Sequence, residues 1–127
     1  MKNQNTKEHA YSMGVYYFDK NDYVNAFKFF KIAAEQGHRE AQFCLGVMYS
    51  NGAGVSRNEY ESVKWYKKAS DCGHADAMYF LGLAYMMGEG VKPNDCNKFT
   101  GIELIRNAAR LGSELAQDDL NSKGIMY

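Results

Sequence analysis

The chain holds a single proline and three cysteines, carries no surplus of either charge, and contains no apolar run of membrane-spanning length. Each scarcity removes a class of function. Cys44, Cys72 and Cys96 are odd in number and form no Cys-x-x-Cys pair, so neither a disulfide framework nor a thiolate zinc site is expected. Three reducible thiols in a reducing, cytoplasmic setting is the simplest reading. Fifteen basic side chains balance fifteen acidic ones. Nucleic-acid-binding domains usually show a basic excess or stripe, so no nucleic-acid partner is expected, nor electrostatic docking to an anionic membrane. The polar start, Met1-Lys2-Asn3-Gln4-Asn5-Thr6-Lys7-Glu8, has no apolar core of a signal peptide, and no membrane insertion is expected.

Catalytic and metal signatures are also missing. His9, His38 and His74 are too far apart for a His-Glu-x-x-His type metal motif. Cys72 lies two residues before His74, but in the last turn of an expected helix, without an evident cleft or third orienting group. Gly88-Glu89-Gly90 belongs to a repeated loop and not to a phosphate loop. Asp118-Asp119 reads as a solvated helix face. No catalytic residue, metal ligand or cofactor is therefore assigned.

What is present is periodicity. Similar segments begin at Ala10, Ala41 and Ala77, and a partial fourth begins at Glu114. Gly14, Gly46 and Gly82 follow Met13, Leu45 and Leu81; Tyr17, Tyr49 and Tyr85 come three residues later. Ala33-Ala34, Ala69-Ser70 and Ala108-Ala109 precede Gly37, Gly73 and Gly112, and His38 and His74 follow the first two of these glycines. The spacing is 36 residues from Gly37 to Gly73 and 39 from Gly73 to Gly112, with the extra residues near Cys96–Lys98. This divides one domain, 1–127, into units of about 9–38, 39–74 and 75–113 plus a capping helix over 114–127.

Each unit reads as two helices. Ala41, Leu45, Val47, Met48 and Tyr49 keep a roughly helical period. Gly52 and Gly54 break it, Asn58 is placed to cap the next helix, Val63, Trp65, Tyr66 and Ala69 supply that helix's apolar side, and Gly73 stops it. Helix breaks are expected near Gly37, Gly52–Gly54, Gly73, Gly88–Gly90 and Gly112. A glycine inside a helix costs about 1 kcal/mol relative to alanine, a sensible cost at Gly46 and Gly82 if it lets a neighbouring helix come close. One such unit cannot bury its own apolar face, so the units must stack.

The run Ala41-x-x-x-Leu45-Gly46-x-x-Tyr49-x-x-Gly52-x-Gly54-Val55, followed by Trp65-Tyr66-x-Lys68-Ala69 and Gly73-His74, resembles a Sel1-like repeat, a relative of the tetratricopeptide repeat. The third unit resembles it through Ala77, Leu81-Gly82, Tyr85, Gly88-x-Gly90-Val91, Asn94 and Ala108-Ala109. The first unit departs from the pattern, with Asp19-Lys20-Asn21-Asp22 in place of the Gly-x-Gly loop, and the third has Leu104-Ile105 where the second has Trp65-Tyr66. The resemblance implies an all-α, right-handed α/α superhelix of helix–turn–helix repeats. In some bacterial members a disulfide joins the positions held here by Ser70 and Ala77, so that bridge is absent and enzymatic ideas attached to that subgroup lose force.

The same resemblance implies a function in protein–protein interaction: an adaptor or scaffold, or a bacterial immunity (effector-neutralising) protein, with an enzyme or small-molecule site as the reading of a different class. In the tetratricopeptide architecture the first helix of each unit lines the concave face. By analogy the partner-facing residues are Tyr11, Val15 and Phe18 in the first unit, Phe43, Val47 and Ser50 in the second, and Tyr79, Leu83 and Met86, with Met87, in the third. Tyr11, Phe43 and Tyr79 would form an aromatic ladder able to anchor a protein or peptide, unless these rings pack between adjacent first helices. The apolar end Ile125-Met126-Tyr127 leaves weak self-association through the terminal helices open.

Overall fold

The computed structural model describes residues 6–127. Met1–Asn5, part of the polar start and of the 1–127 span discussed above, lie outside the described residues. The chain folds into α1 (Lys7–Asp19), α2 (Tyr23–Glu35), α3 (Arg39–Asn51), α4 (Glu59–Asp71), α5 (Ala75–Met87), α6 (Lys98–Arg110) and α7 (Glu114–Ser122), with a short 3-10 turn at Pro93–Asp95. Among the described residues there is no strand. The pairs α1–α2, α3–α4 and α5–α6 pack most extensively, and α2–α3, α4–α5 and α6–α7 join one unit to the next. The result is an all-α helical repeat solenoid.

The helix ends fall at the expected glycines. Every α-helix also begins on a side-chain cap. Thr6, Asp22, His38, Asn58, His74, Asn97 and Ser113 each accept a hydrogen bond from a backbone N–H in the first turn of the helix that follows, which satisfies one of the otherwise orphaned donors there. The longer loop of the third unit contains the 3-10 turn. The C-terminal helix is shorter than the expected 114–127. It stops at Ser122, Gly124 takes φ +69°, and Ile125 turns back onto the cluster around Ile105. Arg106 Nε then donates to the Met126 carbonyl at 3.1 Å, tying the tail to α6.

The helical glycines do bring a neighbouring helix close, and that neighbour is the second helix of the same unit. A Cβ on Gly14 would lie 2.5 Å from the Phe30 ring, and one on Gly46 would lie 2.5 Å from the Tyr66 ring. On Gly82 it would lie 2.7 Å from the Gly101 carbonyl oxygen and 2.8 Å from Ile105 Cγ1. At the bottom of the middle crossing, Ser62 Oγ donates to the Gly46 carbonyl at 2.7 Å.

The loop glycines join units instead. Gly54 sits directly on the Tyr23 carbonyl of α2, and Gly90 on the Glu59 carbonyl of α4. Each unit's loop therefore rests on the first residue of the preceding second helix, where a side chain would collide with backbone. The first unit's turn has no such helix to rest on among the described residues, so it needs no Gly-x-Gly. Asn21 instead takes the positive φ of 62°. Alanines 33, 34, 69, 108 and 109 are fully or almost fully buried where helices cross. The core forms three clusters, centred on Leu45 and Met48, on Tyr66 and Leu81, and on Ile105 and Leu120.

A candidate partner-binding cleft at the middle junction

The expected aromatic ladder is largely occupied by the protein's own side chains. Tyr11 stacks on His38 with ring centres 4.4 Å apart, and Phe43 stacks on His74 at the same distance. Phe43 also packs near Tyr66 and Phe80, at 5.9 and 6.0 Å. Tyr79 meets Phe80 edge-on at 5.3 Å and donates its hydroxyl hydrogen to Asp119 Oδ2 at 3.2 Å. All three rings are half-buried, and each lies over the cap or first helix of the following unit. Burial, with the nearby Asp119 carboxylate, pushes the Tyr79 phenol up to about 12. Asp119 is thus not a solvated face residue as expected: it is tied to Tyr79 and to Lys123, 3.0 Å away.

The two histidines are capping groups. His74 Nδ1 accepts from the Ala77 N–H at 3.0 Å, and its Nε2 lies 2.7 Å from Glu40 Oε2. His38 Nδ1 accepts from the Ala41 N–H at 3.2 Å. In the third unit Ser113 takes over both tasks, accepting from the Ala116 N–H and donating to Asp76 at 2.7 Å. Glu40 and Asp76 occupy equivalent positions, so an acid in one unit holds the cap of the next. Both nitrogens of His74 are committed, which leaves it no lone pair to activate Cys72. Among the described residues, no group of three or more His, Cys, Asp or Glu is placed to hold a metal ion.

The remaining expected residues lie lower on the same face. Val15 packs against the first core cluster. Phe18 is half-exposed, with its ring 5.2 Å from Tyr23 and 6.4 Å from Phe30. Met86 lies on Gly101 of α6, the contact that the missing side chain there permits. Val47, Ser50, Leu83 and Met87, by contrast, line one open cleft of about 340 Å³ between α3 and α5, floored by α4. That volume falls at the lower end of the roughly 300–1,000 Å³ typical of ligand pockets.

Sequence reasoning missed the rest of this lining. Phe80 and Ala84 come from α5, Ser62, Val63 and Tyr66 from α4, and the carboxylates Glu59 and Glu89 stand with Asn51 at its edge. One Glu59 oxygen is buried without a hydrogen bond, 3.7 Å from Arg57 Nε. The signal that could have located the cleft was one column of the alignment. Phe18, Ser50 and Met86 are equivalent, and only the middle unit has a small residue there. Two large residues close their junctions and Ser50 leaves its own open.

The protein-family model described as Sel1 repeat matches the chain three times, over residues 9–38, 39–74 and 75–113. No curated protein matches at a significant level. Among solved structures, a Sel1 repeat protein from Oxalobacter formigenes is 34% identical with a TM-score of 0.81, over 92% of this chain and 49% of its own. A protective antigen of uropathogenic Escherichia coli with an SLR fold is 31% identical with a TM-score of 0.83, over 97% of this chain and 28% of its own. This chain therefore spans half or less of those two proteins. The Helicobacter pylori cysteine rich protein B shares the fold at 23% identity and a TM-score of 0.68, over 90% of this chain and 94% of its own. With its repeats matched in three consecutive blocks and its helices laid out as in these structures, the chain belongs to the Sel1 repeat family.

Proposed function

We propose that this chain is an adaptor or scaffold that holds a segment of a partner protein on the concave face formed by α1, α3 and α5. Sel1 repeats generally serve as protein-interaction scaffolds, and their solenoids are typically non-catalytic. The observation that carries the reading here is the open, mainly apolar cleft at the middle junction, among side chains otherwise consumed by stacking. Exposed apolar surface of this kind is costly to maintain unless a partner covers it. An effector-neutralising role would use the same cleft. The free thiols of Cys44, Cys72 and Cys96 support a reducing compartment such as the cytoplasm.

Site-specific photo-crosslinking in the native host tests the proposal. A benzophenone side chain at Met87, on the cleft's edge, should capture a discrete protein partner. The same group at Lys67, on the exposed side of α4, should not. Equal capture at both positions, or none at Met87, would refute the assignment of this face.

A further inference from the structure

We infer that the middle cleft takes a peptide segment presenting one bulky apolar side chain, of phenylalanine or methionine size, beside a lysine or arginine. The inference rests on the interaction reading above and adds the chemistry of what is bound. Its apolar half comes from comparing the three junctions of this one molecule. The position at the C-terminal turn of the first helix is Phe18, Ser50 and Met86 in successive units. Phe18 lays its ring near Phe30 and Tyr23, while Met86 lies on Gly101. Each places its own large apolar group over the second helix of its own unit. At Ser50 that group is missing, and the space it would take opens as a cleft of about 340 Å³ above Ser62, Val63 and Tyr66. A partner side chain of the same size supplies what the fold itself supplies on either side.

The charged half comes from the same comparison. Where the first unit has Tyr23 against Phe18, the second has Glu59, and the loop of the third unit adds Glu89 across the opening. Among the described residues, these two carboxylates are the only charged side chains lining the cleft, and no Lys or Arg joins them in that lining. Glu59 has one oxygen buried without a hydrogen bond, and its nearest cation, Arg57, is 3.7 Å away and largely exposed. A cation carried next to the apolar anchor would meet the two carboxylates at the cleft's edge, and in a partly desolvated setting charge complementarity of this sort selects the ligand more than it adds affinity.

The test is selection of random twelve-residue peptides displayed on phage against the full chain, followed by titration of a synthetic winner. The enriched peptides should share a Phe, Met or Leu adjoining Lys or Arg. Ser50→Phe, which copies the first unit's own plug, should weaken the winner by about tenfold or more, whereas Lys67→Ala, on the exposed side of α4, should leave it bound. Glu89→Lys, on an exposed loop residue, should weaken it about three- to tenfold with the melting temperature unchanged. Enrichment of acidic or purely polar peptides overturns the inference. So does binding that survives Ser50→Phe in a folded protein. Should Ser50→Phe fail to fold, unchanged affinity in Glu89→Lys overturns it instead. If no peptide is enriched, this ligand assignment is overturned, and the cross-linking at Met87 still judges the interaction reading by itself.

Discussion

Replacing Gly82 by alanine sets two known effects against each other at a place where the structure decides between them. An alanine inside a helix gains about 1 kcal/mol over glycine from backbone entropy, so a reading by propensity alone predicts stabilisation. The new methyl, however, would stand 2.7 Å from the Gly101 carbonyl oxygen, 2.8 Å from Ile105 Cγ1 and 3.2 Å from Leu104 Cβ. A backbone carbonyl inside α6 cannot swing aside, so α5 and α6 must separate along the most extensive helix pair in the protein. Overpacking of this kind costs typically about 1–3 kcal/mol, and a gap of half an ångström already forfeits about a quarter of each dispersion contact it opens. The net expectation is a loss of about 1 kcal/mol, and at most about 2 kcal/mol. Urea unfolding followed by circular dichroism should show the midpoint falling by about 0.5 M, and at most about 1 M, at the slope usual for a chain of this size. Gly46→Ala should cost less, because the three atoms nearest its methyl all belong to the Tyr66 ring, a side chain that borders the open cleft and can tilt into it, and none to backbone. A midpoint at or above that of the parent protein for Gly82→Ala, or the reverse order of the two variants, would refute the packing argument.

Three further outcomes are expected. Burial pushes the Cys44 thiol up to about 12, while Cys72 and Cys96 are exposed; an Ellman titration of the native protein should count two fast thiols, with the third released only on unfolding. Burial lowers the His38 pKa below its ordinary 6.5, so the unfolded chain takes up that proton first as the pH falls. The histidine's contribution to stability is then whole above about pH 6.5 and is lost as the pH drops through the lowered folded value. His38→Asn, which keeps a capping acceptor but does not titrate, should show a smaller drop in urea midpoint between about pH 7 and 5 than the parent. Phe43→Ala removes a ring that packs near His74, Tyr66 and Phe80, and should cost about 2–4 kcal/mol in denaturant unfolding; a change under about 1 kcal/mol would return Phe43 to the role of a free binding anchor.

The sequence by itself determined the repeat, its register and the helix breaks at the recurring glycines, though not the end of the last helix. These are local matters: Gly52 and Gly88 end helices and Asn58 caps one through their neighbours in sequence, and three copies in phase reinforce one another. The family followed from the same residues. The tertiary structure decided which side chains remain free. Tyr11, Phe43 and Tyr79 share one column, but whether such rings face a partner or the next unit depends on what the next unit brings, and here it brings His38, His74 and Asp119. The cleft could not be read from any single unit, because it is a vacancy among three helices. It exists where Ser50 stands in place of Phe18 or Met86, and its lining of Tyr66, Phe80, Glu59 and Glu89 is assembled across chain separations that no local pattern encodes.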